Sequence, residues 1–298
     1  MASFNRWLIA GIGVAWAALP AAPQAAPLVT IVDFAGTCGS LLVCAGNAAV
    51  VGGALRLTPA LPTQSGGAWL AVPVTLAPGI GFSSSFTFRM HGGGGAEPAD
   101  GLAFVLAADP TSLGHADRYG GSMGFEGVAR TLAVEFDTFK NGEDASSNHV
   151  AINRDGVLTN DAAYNPYGVV DCGFGVGIIT PGCLADGNIW TATVVYDGAD
   201  GKLAVTVRDG TAAVQQAIVG HAVDLQALLG GERAYVGFSA GTGDGFQNHD
   251  LLSWRFALTS NDDPRSDSND TAAVPEPASA ALLAAGLLGL AGLRRRRD

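Results

Sequence analysis

The sequence predicts an all-β protein built as a sandwich or jelly roll. Short segments that alternate apolar and polar residues recur through its middle, and this period of two is typical of half-buried strands. Helical periodicity is almost absent, and the 42 glycines of the chain, with many Pro, Asn and Asp residues, separate the segments as turns. Many short strands at this spacing favour two packed sheets.

The predicted strands follow one another along the chain. They cover residues 54–58, 68–74, 81–90, 101–107, 132–139, 150–153, 191–196, 202–208, 235–239 and 252–258. Asp197-Gly198 and Asp200-Gly201 lie between two of these strands and predict a hairpin turn. A short helix or turn is predicted over 223–229, where three leucines cluster.

The N-terminus and the residues after the strands differ from this body. Residues 1–26 carry Arg6, an apolar stretch over 8–19 and small residues at the end, which is typical of a secretion signal. An N-terminal membrane anchor is the alternative, and the short apolar stretch disfavours it. Residues 261–273 are rich in Asp, Asn and Ser and predict an acidic disordered linker.

The C-terminal segment 274–298 carries a more specific pattern. Val-Pro-Glu-Pro at 274–277 precedes an apolar run over 278–293 and four arginines. This pattern resembles the PEP-CTERM sorting signal of Gram-negative bacteria. The resemblance implies export across the inner membrane, transient C-terminal anchoring, a sorting and processing machinery as partner, and a final place in the periplasm, at the cell surface or outside. An ordinary C-terminal anchor is the alternative.

The chain is acidic, with a formal net charge of −11. Loss of Arg6 and of the C-terminal segment, which holds four arginines against Glu276 and Asp298, would bring the remaining domain to about −14. Nucleic acids and anionic membranes are poor partners for such a surface. Acidity also suits a protein that binds divalent cations.

Four cysteines allow three pairings. The two local pairs, Cys38 with Cys44 and Cys172 with Cys183, are the simplest, and an exported route permits them. Because a CxxC motif is absent, we interpret these cysteines as structural disulfides and not as a metal or redox site.

Polar residues cluster where the strand 132–139 ends and the next begins. Glu135 and Asp137 are two residues apart and therefore point to the same face. Asn141 and Asp144 follow in the loop, and His149 stands at the head of the next strand. Carboxylate and carboxamide oxygens suit calcium, and an added imidazole suits manganese or a similar ion, so we predict a metal site. A solvated polar turn is the alternative.

This stretch, Val-Glu-Phe-Asp-Thr-Phe followed by Asn, Asp and His, resembles the metal-binding segment of the legume-type (L-type) lectins. The resemblance covers the body of the chain, 27–260, and implies a concanavalin A-like jelly-roll β-sandwich. It is carried further by residues 46–48, 55–58, 82–88, 99–104, 236–240 and 249–254.

The resemblance implies two cofactors, Ca²⁺ and Mn²⁺ or another transition ion. The transition ion would be held by Glu135, Asp137, Asp144 and His149. Calcium would be held by Asp137, Asp144, Asn141 and the backbone carbonyl of Phe139. Asp137 and Asp144 would bridge the two ions.

The resemblance also implies a carbohydrate partner. Asp100, in a cis peptide with Ala99, would accept hydrogen bonds from sugar hydroxyls, and the backbone N–H of Gly121 and the amide of Asn141 would donate. Phe139 would stack on the sugar ring. In the variable loop 241–246, Asp244 or the N–H of Gly245 would touch the ligand. A homo-oligomer is compatible with the resemblance.

Two alternative functions share this fold. β-Glucanases of the laminarinase type need a second catalytic glutamate two or three residues after Asp137, but Phe139 and Lys140 stand there, so we expect no enzyme activity. A structural or adhesive surface protein that no longer binds sugar is the other alternative.

Overall fold

The computed structural model describes residues 28–142, 144, 146–160, 163–170 and 183–259. These residues form strands, one short α-helix and a 3-10 turn at Gly120–Ser122. The strands are β1 (Val29–Ile31), β2 (Leu42–Gly46), β3 (Ala49–Val51), β4 (Ala54–Thr58), β5 (Gln64–Leu70), β6 (Val74–Thr75), β7 (Gly81–Gly94), β8 (Gly101–Ala107), β9 (Thr131–Asp137), β10 (His149–Arg154), β11 (Tyr167–Val169), β12 (Trp190–Asp197), β13 (Lys202–Asp209), β14 (Gln215–Ala222), β15 (Arg233–Thr242) and β16 (Phe246–Thr259), and the helix is α1 (Leu225–Leu229).

Two antiparallel sheets confirm the predicted all-β sandwich. The back sheet has the order β14-β13-β12-β7-β16-β4-β3, with β1 also paired to β16. The front sheet has the order β11-β10-β9-β8-β15-β5-β2, with β6 also paired to β15. Strands that are neighbours in a sheet are often distant in sequence, so each sheet forms only when the whole domain folds.

Each predicted strand overlaps an observed one, and the hairpin turn joins β12 to β13 with Asp197 opposite Lys202. The strand predicted over 68–74 instead begins at Gln64. Its start is hidden in the sequence because Gly66 and Gly67 break the alternation. A Cβ on Gly66 would lie 1.9 Å from the carbonyl oxygen of Leu57, so close packing of β5 against β4 requires glycine there.

The predicted helix is α1, which is short and well capped. The side chain of Asp224 accepts a hydrogen bond from the N–H of Ala227 at 2.9 Å, and Gly230 ends the helix in the left-handed conformation. Leu225 and Leu229 are buried, which fixes the helix on the sandwich core.

The core between the sheets is aromatic. Phe86 lies at its centre, with its ring centroid 4.9 Å from that of Phe238 and 5.6 Å from that of Phe136. Phe104 and Trp254 extend the cluster, since both pack on Phe238. These rings come from both sheets and join them into one core.

A second apolar cluster lies on the outer face of the front sheet. The segment 108–130 crosses this face and places Met123, Phe125 and Val128 against Ala103 and Val105. Strands β8 and β9 are consequently buried along their whole length on both faces. The predicted metal residues of β9 point to this covered face.

The disulfide between Cys38 and Cys44 is present, as predicted. Cys183 is buried and disulfide-bonded, and Cys172 lies outside the described residues. Also outside the described residues are the predicted signal segment 1–26, the linker 261–273 and the sorting segment 274–298. Among the described residues, no helix is long and apolar enough to span a membrane.

Candidate metal and carbohydrate site

Three neighbouring strands of the front sheet position the predicted metal residues. Asp137 of β9 lies opposite Gly101 of β8 on one side and His149 of β10 on the other. Ala151 lies opposite Glu135. Because directly opposite residues in an antiparallel pair share a face, Glu135, Asp137 and His149 project together.

The side chains of this group converge. Ligand atoms of Asp137, Asp144 and His149 all lie within 4.8 Å of one another. The Nε2 atom of His149 is 3.3 Å from Oε1 of Glu135 and 3.7 Å from Oδ1 of Asp144. The structure therefore brings together the four residues that the resemblance assigned to a transition ion.

The imidazole of His149 is oriented for metal binding. Its Nδ1 is 2.8 Å from the carbonyl oxygen of Ser146, so Nδ1 carries the proton and donates. The lone pair of Nε2 then faces the carboxylates. A metal-binding histidine needs this arrangement, in which the second nitrogen is held by an outer partner.

The electrostatics of the cluster fit a divalent cation. Burial raises the pKa of Asp137 well above its usual range, and the negative charges of Glu135 and Asp144 raise it further. Burial also raises the pKa of Glu135, and the neighbouring imidazole of His149 opposes this rise. A cation would offset this gathering of like charges away from water.

The residues assigned to calcium lie at the end of β9 and in the loop that follows it. The N–H of Phe139 donates to Oδ1 of Asp137 at 2.7 Å, and the N–H of Asn141 donates to Oδ2 of Asp144 at 2.7 Å. These bonds hold Phe139 beside the carboxylate of Asp137 and Asn141 beside that of Asp144. The donor set is rich in oxygen, as calcium prefers.

Asp100 lies at the start of β8, next to this loop. Its peptide bond with Ala99 is cis. Its carbonyl oxygen accepts hydrogen bonds from the N–H of Thr138 at 2.8 Å and from the Oγ1 of Thr138 at 2.9 Å. Asp100 is only 4% exposed, and its Oδ2 atom has no hydrogen-bond partner among the described residues.

Burial raises the pKa of Asp100 to about 7, although the backbone of Gly243 opposes the rise. A buried acceptor that lacks a donor costs free energy unless a ligand supplies the donor. Asp100 therefore has the environment of a ligand-binding carboxylate.

Glycines surround this carboxylate. A Cβ on Gly121 would lie 2.9 Å from Nδ2 of Asn141, so Gly121 and Asn141 are in contact. Cβ atoms on Gly243 and Gly120 would lie 3.4 and 3.9 Å from Oδ2 of Asp100. The absence of side chains leaves room for a ligand to approach Asp100.

The loop 241–246 packs against the residues before Asp100. Gly245 is buried, and a Cβ on it would lie 2.3 Å from the carbonyl oxygen of Glu97. Asp244 is exposed, and Phe139 is partly buried. Gly243, which the sequence did not single out, is the residue of this loop beside the Asp100 carboxylate.

Two carboxamides near the metal residues were also missed. Asn160 donates to Oδ1 of Asp144, and its Nδ2 is 3.2 Å from Nε2 of His149. Asn153 is 1% exposed, and its side chain lies beside Glu135, whose pKa it helps to lower. Asn153 lies on the face of β10 that carries His149. Its period-two spacing from His149 was the one sequence pattern that could have placed it near the metal residues.

The family model described as the legume lectin domain matches residues 30–272 of this chain. The PEP-CTERM protein-sorting motif matches residues 273–297, which indicates an exported protein sorted through a C-terminal signal.

Plant lectins are among the similar proteins. The galactose-binding lectin of Arachis hypogaea is 31% identical over 184 residues, which cover 60% of each chain. The lectin alpha chain of Lablab purpureus is 30% identical over 234 residues, covering 72% of this chain and 76% of the relative. The chain thus spans only about three fifths of the Arachis relative.

Solved lectin structures share the fold. The metal-free form of lectin I-B4 from Griffonia simplicifolia superposes with a TM-score of 0.62 at 26% identity, covering 78% of this chain and 98% of that one. Peanut lectin with a bound 9-residue peptide superposes with a TM-score of 0.62 at 27% identity, covering 78% and 96%.

Proposed function

Because the chain belongs to the legume lectin family, we propose that it is a carbohydrate-binding protein whose sugar site is held in shape by calcium and a transition ion. One observation carries this proposal most directly. The buried Oδ2 of Asp100, which has no hydrogen-bond partner among the described residues, lies among glycines next to the loop that follows β9. There, ligand atoms of Asp137, Asp144 and His149 lie within 4.8 Å of one another.

The residues of the cluster divide between two ions. Asp137, Asp144, Asn141 and the carbonyl of Phe139 would hold calcium, and Glu135, Asp137, Asp144 and His149 would hold manganese or a similar ion. The ions would neutralise the buried carboxylates and fix the loop 138–144. The loop in turn fixes Asp100, because both donors of Thr138 bond its carbonyl.

The sugar would bind through hydrogen bonds and one aromatic contact. The carboxylate of Asp100 would accept from two hydroxyls, and the backbone of Gly121 and the amide of Asn141 would donate. Phe139 would cover the apolar face of the ring. Asp244 and Gly245 would contribute from the loop 241–246, with Gly243 closest to Asp100.

The domain would act by binding and not by catalysis. Its relatives are lectins. The positions where a β-glucanase needs its second glutamate hold Phe139, which is partly buried, and Lys140, which is exposed.

Substitution of Asp100 tests the proposal. We expect wild-type protein to bind a glycan array in calcium and manganese, and to lose that binding in EDTA. Asp100→Ala should lower glycan affinity by about 10- to 100-fold, because a charge-assisted hydrogen bond contributes about 1.5–3 kcal/mol.

Asp200→Ala is the matched control. Asp200 lies in the β12–β13 turn of the back sheet and bonds only the exposed Lys202 among the described contacts. Binding that survives both EDTA and Asp100→Ala would overturn the proposal, as would the release of reducing sugar from a β-glucan.

A further inference from the structure

The segment that follows β10 returns to the metal residues and places one more side chain among them. We infer that Asn160 is a ligand of the transition ion, to which it offers its carboxamide oxygen. This inference rests on the proposed metal binding and adds a residue to it.

The contacts of Asn160 point into the centre of the cluster. Its Nδ2 donates to Oδ1 of Asp144 and lies 3.2 Å from Nε2 of His149. Both acceptors belong to the residues assigned to the transition ion. The polarised NH₂ group of Asn160 therefore sits where a cation would contact the same two atoms.

The other end of the carboxamide has no such role. Oδ1 of Asn160 is buried and has no hydrogen-bond partner among the described residues. Such an atom is costly to leave unsatisfied. Rotation of the amide plane by half a turn exchanges NH₂ and oxygen, because the two ends are nearly equal in size.

The rotated amide would present its oxygen to a bound cation. With a cation present, an NH₂ group facing it would be repelled, and the oxygen would be attracted. Carboxamide oxygen is a hard neutral donor that suits manganese beside carboxylates and imidazole. Glu135, Asp137, Asp144, His149 and Asn160 would then provide five ligands of a six-coordinate ion, leaving one position for water.

The alternative role of Asn160 is that of an outer partner, in which its NH₂ continues to hold Asp144. The two roles differ in the number of waters on the ion. A direct ligand displaces one water, and an outer partner displaces none.

The experiment counts these waters on Mn²⁺ bound to the purified protein in the presence of calcium. Electron–nuclear double resonance in ¹⁷O-water gives the count, and isothermal titration gives the affinity. We expect wild type to carry one water fewer than Asn160→Ala. Manganese affinity should fall by about 10- to 100-fold in Asn160→Ala.

Asn160→Asp separates the two roles further. If Asn160 is a ligand, Asn160→Asp should retain the wild-type water count and affinity, because aspartate keeps the ligating oxygen. If Asn160 is an outer partner, Asn160→Asp should lose its function, because aspartate cannot donate a hydrogen bond to Asp144. Asn188→Ala is the matched control, since its carboxamide bonds Asp186 and Asp209 instead.

Equal water counts in wild type and Asn160→Ala would overturn the inference while leaving the proposed metal site intact. Failure of the wild type to bind manganese at all would overturn both. Loss of affinity in Asn160→Asp equal to that in Asn160→Ala would assign the outer role and overturn the ligand role.

Discussion

Buried polar atoms without partners are informative at the scale of single residues. Among the described residues, Oδ2 of Asp100 and Oδ1 of Asn160 both lack a hydrogen-bond partner, and both lie within the candidate site. Each such atom costs about 1–3 kcal/mol when it is desolvated and unpaired. The proposed sugar and metal ligands would supply the partners that these two atoms lack.

Gly121→Val is predicted to impair sugar binding without harming the fold. The new Cβ would meet the amide end of Asn141, a movable side chain, at 2.9–3.2 Å. The amide should move aside, so stability should change by less than about 0.5 kcal/mol. Glycan affinity should fall at least about tenfold, because Asn141 is displaced and the sugar meets a branched side chain.

Glycan titration and thermal unfolding of the same samples check this prediction. Gly231→Ala serves as control, since a Cβ there meets nothing within 4 Å. A Gly121→Val protein with wild-type affinity would contradict the assigned sugar position.

His249 is predicted to make the fold acid-sensitive. It is fully buried on β16, with Nδ1 2.6 Å from Oγ1 of Thr58. Burial lowers its pKa to about 3, with Asp250 opposing and His91 adding to the shift. The unfolded chain, with a histidine pKa near 6.5, binds the proton more readily. Stability should therefore fall as the pH drops from about 6.5 towards 3.

Urea unfolding at several pH values, compared with His249→Gln, isolates this contribution. As the pH falls, the unfolding free energy of the wild type should decrease relative to that of His249→Gln by up to about 1.4 kcal/mol per pH unit. Groups shared by both proteins, including the buried carboxylates, cancel in the difference.

At the scale of elements, the two sheets are tied together next to the proposed sugar site. Gln247 of β16 donates to Oγ1 of Thr138 at 2.8 Å, just after the end of β9. Thr138 in turn donates to the carbonyl of Asp100. This chain of hydrogen bonds links the back sheet to the residue that would accept the sugar hydroxyls.

Gln247→Met should loosen this link. Methionine keeps the size but cannot donate, so we expect a loss of about 1 kcal/mol in stability and a several-fold loss of glycan affinity. Gln226→Met removes a comparable bond, from Nε2 to the carbonyl of Leu76 at 2.8 Å, far along the chain from the site. Equal glycan affinity in the two variants would exclude a positioning role for Gln247.

Sequence patterns predicted the longer strands that contain several buried apolar residues. Strand β12 is an example, because its residues are alternately buried and partly exposed. Strand β14 was missed, since only Ile218 of its residues is buried, and such an edge strand has little periodicity. Strands β1, β3, β6 and β11 were missed because two or three residues are too few to show a period. Strand β2 was missed because only Leu42 in it is buried.

The residues of the candidate site were likewise predictable only in part from the sequence. Glu135, Asp137 and His149 were predictable because strand spacing fixes their common face. Asn160 was not, since it reaches the cluster from a separate loop whose path depends on tertiary contacts. Gly243 was missed because a glycine in a glycine-rich loop has no distinguishing pattern.

At the scale of the whole molecule, stability depends on aromatic packing between the sheets. Phe86→Ala should cost about 3–5 kcal/mol, because Phe86 is 1% exposed and packs on rings from both sheets. Denaturant unfolding measures this cost. Val195→Ala, at a position 41% exposed on β12, should cost far less. Similar values for both variants would contradict the assigned core.

The burial of β8 and β9 on both faces has a consequence for how this scaffold can diversify. A library of random variants should retain almost no polar or enlarged residues in those strands, whereas the exposed tip at Asp244 should accept many. New ligand preferences would then arise by exchange of surface loops, while the buried strands beneath them stay unchanged.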